Sequence, residues 1–186
     1  MSERTDSHIF LIKTNNEFCK QHYLNFKPND PTDSGIDLVT PTDIIIPPTF
    51  TVSTQPSDKF FTEIDLLIIC QFQAIDNKPH GYFLLPRSSF TKTPLVLANS
   101  VGLIDNSYRG TIRARVRNLA PFPFTLKKGE CWFQLCAYDL SNCQINVVNE
   151  VSSTQRGSGG FGSSEIKAAL MQFFEEKITG VITSYL

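Results

Sequence analysis

From Ile9 to about Val151 the chain sets short apolar runs between clusters of Pro, Gly, Asn and Asp. Residues 10–12, 43–46, 66–69, 82–85, 111–116 and 132–137 each read as a strand. Residues 28–31, 47–48, 77–79, 106–107 and 127–129 supply the punctuation between them. Many short strands separated by turn signals predict an all-β protein, a sandwich or jelly roll. Within Thr111-Ile112-Arg113-Ala114-Arg115-Val116 every second residue is basic or small, so one strand face is wet or meets a partner.

Two later segments leave this regime. Residues 152–164 are rich in Ser and Gly and hold Arg156-Gly157-Ser158-Gly159-Gly160-Phe161-Gly162. Such a stretch buries too little to order itself, which predicts a flexible arm. Beyond it the period becomes helical. Ile166, Leu170, Phe173, Phe174 and Ile178 share one face, with Ser164 as N-cap and Gly180 as stop. A helix packed on its own core is preferred to one that recognises a partner. The chain thus divides into a β domain at 1–151, an arm at 152–164 and a helical extension at 165–186.

Composition narrows the function. The 186 residues carry 17 basic and 18 acidic side chains, a net charge of −1, which leaves no footprint for nucleic acid or an anionic membrane. No apolar run approaches the roughly 18 residues that span a bilayer, and the start lacks a signal peptide's regions. Five scattered cysteines do not make a disulfide framework, which suggests a reducing, intracellular compartment.

Three segments offer chemistry. In Gly81-Tyr82-Phe83-Leu84-Leu85-Pro86-Arg87-Ser88-Ser89 a strand ends in a guanidinium, two hydroxyls and free backbone N–H groups, the donors a phosphate requires. An ordinary turn has the same composition. In the segment from Asn99 to Gly110, Asp105 and Tyr108 flank a turn closely enough to face one cavity. They suit a water-activating base beside an aromatic platform, or equally an Asx turn and a half-buried strand residue. The arm lacks the Gly-Lys-Ser/Thr of a P-loop but could close over a ligand, Phe161 on a base and Arg156 on phosphate, or be a plain linker. His8, His22 and His80 match no metal spacing, and Cys131 and Cys136, five apart in a strand, are expected on opposite faces.

Taken in order, the pieces resemble the five motifs of the trimeric dUTPase (dUTP diphosphatase) family. They are Ser34-Gly35-Ile36-Asp37-Leu38, Pro86-Arg87-Ser88-Ser89, the stretch from Gly102 to Gly110, the stretch from Gly129 to Leu135, and the stretch from Arg156 to Ser164. Five motifs in the right order are far more specific than any one. The resemblance implies a jelly-roll protomer of the dUTPase β-clip kind in a homotrimer whose active sites are shared between subunits. It implies Mg²⁺-dependent hydrolysis of dUTP to dUMP and pyrophosphate, which keeps uracil out of DNA and supplies dUMP.

By motif, Asp105 would activate the water that attacks the α-phosphorus, and Tyr108 would pack under the deoxyribose. Asn99, Gly102 and Ile104 would read uracil in a backbone cradle. Arg87, Ser88, Ser89 and Gln134 would hold phosphates, and Asp37 would support the metal, through water. Arg156, Ser163 and Ser164 would close on the γ-phosphate, with Phe161 and Gly162 over the uracil. The chain departs from the family at Cys131, where a basic residue is usual, at Ser89 and Glu165, where Gly is, in an inserted loop at 51–61, and in everything past the fifth motif. A dCTP deaminase-like relative and an inactive, dUTPase-fold binding or regulatory protein are the alternatives. The pairing of Asp105 with Tyr108 and the intact Arg156 and Phe161 weigh against both.

Overall fold

The apolar run at residues 66–69 belongs to a longer strand of twelve residues, whose Ile64, Leu66, Ile68, Cys70 and Phe72 all point inward. This computed structural model describes residues 7–28, 30, 32–49 and 60–159. In chain order the elements are β1 (His8–Lys13), α1 (Glu17–Leu24), β2 (Gly35–Val39), β3 (Ile44–Ile46), β4 (Thr62–Gln73), β5 (Tyr82–Pro86), β6 (Leu95–Leu97), β7 (Gly102–Ile104), β8 (Thr111–Asn118), β9 (Phe124–Leu126), β10 (Cys131–Ala137) and β11 (Cys143–Val147). A short 3₁₀ helix, Ser88–Lys92, follows β5.

The strands form two open sheets and a ribbon. One sheet runs β11-β1-β4-β8-β6, the other β2-β10-β5-β7, and β3 pairs with β9. Neither sheet closes on itself, so the described part is an all-β sandwich. Their inner faces interdigitate as period-two patterning requires: Phe10 of the first sheet meets Tyr82 of the second edge-on, ring centroids 5.2 Å apart. In β8, Ile112, Ala114 and Val116 are buried while Arg113, Arg115 and Arg117 face away from the core, as the alternating pattern predicts. Arg113 and Arg115 both hold Glu63 of β4, at 2.9 and 3.0 Å. Buried Asn118 donates to the carbonyls of Ile46 and Phe122 and accepts from Ala120 N–H, which fixes the ribbon to β8 with its amide satisfied.

Three sequence expectations change. α1 was not anticipated; Asn16 caps it by accepting from Cys19 N–H, and Cys19 and Tyr23, at i and i+4, bury its inner face. Val39 N–H donates to the Tyr23 hydroxyl and fastens α1 to β2. Cys131 and Cys136 line one cavity instead of opposite faces, because a bulge between Cys131 and Phe133 shifts the register of β10 against β2. The start of the arm is tied down, as described below. The inserted loop at 51–59, Phe161, Gly162, Ser163 and Ser164, and the helical extension lie outside the described residues. No helix among the described residues is long and apolar enough to cross a membrane.

Candidate active site

The predicted site residues fall into two groups. The first surrounds the turn after β7, where a cavity of about 220 Å³ is lined by Asn99, Leu103, Ile104, Asp105, Tyr108 and Arg156, among others. Backbone geometry builds it. Tyr108 N–H donates to the Asp105 carbonyl at 3.0 Å, which closes the turn and puts both side chains at one end of β7. Asn106 locks the turn to the body of the sandwich by donating to the His80 carbonyl at 3.1 Å. Ser100 takes a left-handed backbone conformation, φ 61°, at the other end of the hairpin. Gly102 pairs with Leu84 so closely that a Cβ would sit 2.9 Å from the Leu84 Cβ and 3.0 Å from its carbonyl oxygen.

Tyr108 is a fixed platform. Only 8% of it is exposed, its hydroxyl donates to the Thr111 carbonyl at 3.0 Å, and a Cβ on Gly110 would overlap its ring. Arg113 reaches the same hydroxyl at 3.4 Å. Asp105, by contrast, is half open to solvent and forms an ion pair with Arg156 of the arm. The Arg156 guanidinium also lies 5.9 Å from the centre of the Tyr108 ring.

The arm's root explains how Arg156 arrives there. Ser152 N–H donates to Gln71 Oε1 at 2.8 Å, and Arg109 clamps the Ser152 carbonyl and hydroxyl at 2.8 and 3.1 Å. Thr154 Oγ1 donates to the Ser107 carbonyl, and Arg109 N–H to the Gly157 carbonyl at 2.8 Å. Gly157 supplies a positive φ of 56° at the bend. Residues 152–159 therefore lie along the hairpin of their own chain, and Arg156, expected on a phosphate, sits on Asp105.

The second group lines a larger cavity of about 890 Å³ that contains Asp33, Asp37, Arg87, Ser88, Cys131 and Gln134. Arg87 is held in three directions: its Nε pairs with Asp37 Oδ1 at 2.7 Å, its Nη1 donates to the Cys131 carbonyl at 2.9 Å, and its backbone N–H donates to the Trp132 carbonyl. Burial lifts the Asp37 carboxyl above its ordinary value, opposed by Arg87. Burial, with Asp37 nearby, pushes the Cys131 thiol up to about 11. Gln134 lies across Gly35, where a side chain would collide with its amide. Ser88 is exposed at the cavity, whereas the Ser89 hydroxyl is buried without a hydrogen-bond partner, so a ligand could use only the Ser89 backbone.

The two groups share no lining residue. Antiparallel β5 and β7 pair Tyr82 with Ile104, which sends Asp105 and Arg87 to opposite ends of β5. At about 3.3 Å per residue they stand about 20 Å apart along the strand.

A family model for dUTPase matches residues 22–165. The chain belongs to the dUTPase family. Among curated members, the deoxyuridine 5'-triphosphate nucleotidohydrolase of Escherichia phage T5 is 41% identical over 92 residues, 48% of this chain and 62% of that protein. The one from Actinobacillus pleuropneumoniae serotype 5b is 40% identical over 82 residues, 44% of this chain and 54% of that protein. These matches thus span just over half the length of those relatives. In fold, the chain is similar to Staphylococcus bacteriophage 80alpha dUTPase solved with dUpNHpp, with a TM-score of 0.53, 18% identity, and 86% of this chain and 99% of the other covered.

Family motifs led to both cavities but missed residues that shape them. Arg109 anchors the arm and Arg113 steadies Tyr108; only the alternation of β8 hinted at the latter. α1 forms one whole wall of the larger cavity, and its signal was the Asn16 cap followed by Cys19 and Tyr23.

Proposed function

We propose that this chain hydrolyses dUTP to dUMP and pyrophosphate by attack of water on the α-phosphorus. The observation that carries the reading is the smaller cavity, where a solvent-accessible carboxylate stands beside a buried, hydrogen-bonded tyrosine ring and the hairpin backbone. The glycine-dependent approach of Gly102 to Leu84 brings backbone donors and acceptors, without side chains, to the place where uracil is read. A tight backbone cradle of this kind rejects thymine's methyl by clash and cytosine by mismatched donors. Tyr108, unable to retreat, leaves no room for a 2′-hydroxyl.

Asp105 takes a proton from the attacking water, which requires the Arg156 pair to open first. Both partners are solvent-accessible, and exposed ion pairs contribute at most about 1 kcal/mol, so the opening is inexpensive. Arg156 is then free to meet phosphate. Arg87, Ser88 and Gln134 hold the triphosphate, with Arg87 braced by Asp37.

Among the described residues no three His, Cys, Asp or Glu side chains gather into a metal cage. Asp33 and Asp37 both line the larger cavity, and two carboxylates fit Mg²⁺ carried on a triphosphate, which keeps its waters and needs few protein ligands. Asp37, with Asp33 on the same cavity, would hold such an ion through water, and the ion would neutralise phosphate charge.

The separation of Asp105 from Arg87 supports a homotrimer in which one subunit's Asp105 faces a neighbour's Arg87, since one nucleotide must reach both. Purified protein with Mg²⁺ should release pyrophosphate from dUTP far faster than from dCTP, dTTP or UTP. Equal turnover of all four would defeat the specificity argument, and ammonia release from dCTP would identify a deaminase.

A further inference from the structure

The larger cavity has two walls of different origin. β2, β5 and β10 contribute the family residues; α1 and the segment after it contribute Gln21, His22, Asn25 and Lys27. This second wall is rigidly placed, because Cys19 and Tyr23 are buried beneath it and the Tyr23 hydroxyl accepts from Val39 N–H.

The strand wall alone is badly charged for a polyphosphate. Arg87 is its one cation against Asp33 and Asp37, and Arg87 is already paired with Asp37. Where the family usually places a base, Cys131 offers a neutral thiol. Lys27 is the other full cation lining the cavity, and it enters no salt bridge with another described residue. The amides of Gln21 and Asn25 are occupied, donating to Glu17 and to the Gln21 carbonyl respectively. His22 lines the cavity with ring surface only, because its Nε2 is buried out of a ligand's reach, as the Ser89 hydroxyl is.

We propose that the α1 wall is a phosphate-binding subsite, in which Lys27 binds the outer phosphates of the nucleotide and adds positive charge that Arg87, paired with Asp37, does not supply alone. The subsite rests on reading the larger cavity as the place of the triphosphate. It takes oligophosphates carrying more than one phosphate, so it distinguishes a nucleoside triphosphate from the monophosphate product. Lys27 acts as a point charge.

Calorimetric titration of the full chain with Mg²⁺ tests this, using dUpNHpp, dUMP and inorganic tripolyphosphate as probes. Lys27→Ala should weaken dUpNHpp and tripolyphosphate about tenfold each while leaving dUMP unchanged, and Lys27→Arg should restore both. With dUTP, Lys27→Ala should raise KM about tenfold at nearly constant kcat. Unchanged affinity for dUpNHpp and tripolyphosphate in Lys27→Ala, or equal weakening of all three probes, overturns the subsite. If the wild type binds tripolyphosphate through Lys27 but turns over no dUTP, the subsite stands and the proposed activity falls. If dUTP turns over and Lys27→Ala changes nothing, the activity stands and the subsite falls.

Discussion

Asp105 and Gly102 sit three residues apart on one hairpin and fail in different ways when changed. Asp105→Asn keeps size and shape but cannot accept the water's proton, so kcat should fall by about 10²–10⁴ while dUpNHpp binding stays close to wild type. A near-normal rate in that variant would remove Asp105 from the mechanism. Gly102→Ala forces a Cβ against Leu84 at 2.9 Å, overpacking worth about 1–3 kcal/mol, and thermal melts should show a Tm several degrees lower. The motif that contains both residues marked them as candidates. The ion pair of Asp105 with Arg156 was not, because it joins residues 51 apart whose meeting depends on where the arm lies down. His22 was likewise illegible: a histidine without metal spacing looks solvated, whereas its Nε2 is buried beneath the cavity wall with no hydrogen-bond partner.

Elements carry the next set of consequences. β8 was readable from sequence because burial on one side imposes a period of two, whereas of β4 only the apolar run 66–69 was read. The three-residue strands β6, β7 and β9 are too short to show a period, and α1 is short and mostly polar, so its identity lies in a cap and two buried positions. The arm is held by its root: cutting the chain after Gln155 keeps the Ser152 and Thr154 anchors but removes Arg156, so turnover should collapse while the thermal melt barely moves. A large loss of Tm would mean that the later residues build the sandwich. At the opposite side, the loop after β10 grips the start of β1 through Asp139, which meets His8 Nε2 at 3.2 Å and Ser141. Burial raises the Asp139 carboxyl, but the hydrogen bonds from Ser141 and His8 outweigh it and bring it down to about 2. A depressed carboxylate contributes stability above its unfolded value of 3.8 and loses it as pH falls toward about 2. Acid unfolding of Asp139→Asn should therefore show a flatter slope between about pH 4 and 2 than the wild type; equal slopes would assign the tie no charge-dependent role.

At the scale of the whole molecule the decisive fact is that the register of β5 and β7 sets Asp105 and Arg87 at opposite ends of β5. The motifs name both residues but carry no register, so the separation on which the proposed trimer rests was not legible in the sequence. Mixing and refolding Asp105→Asn chains with Arg87→Ala chains tests the division directly. Each variant alone should be nearly inactive, yet statistical mixed trimers would pair an intact Asp105 with an intact Arg87 in about a quarter of sites. Recovery on that scale, with a trimer by light scattering, supports shared sites, and no recovery would place both residues in the same copy.

The pairing of β1 with β11 has a consequence for synthesis. His8 to Ile12 lie parallel to residues 143–147, so the second edge of β1 stays uncovered until nearly the whole β domain has been translated. Until then a nascent chain presents Phe10 and Ile12 on an open strand, the condition under which edge-to-edge aggregation competes with folding. Such high contact order predicts slow completion of the sheet. Because the arm begins directly after β11, Arg156 emerges only behind the strand that closes the sandwich. Order of synthesis alone thus delivers Arg156 and the root of the arm last, to a sandwich whose strands have all been made.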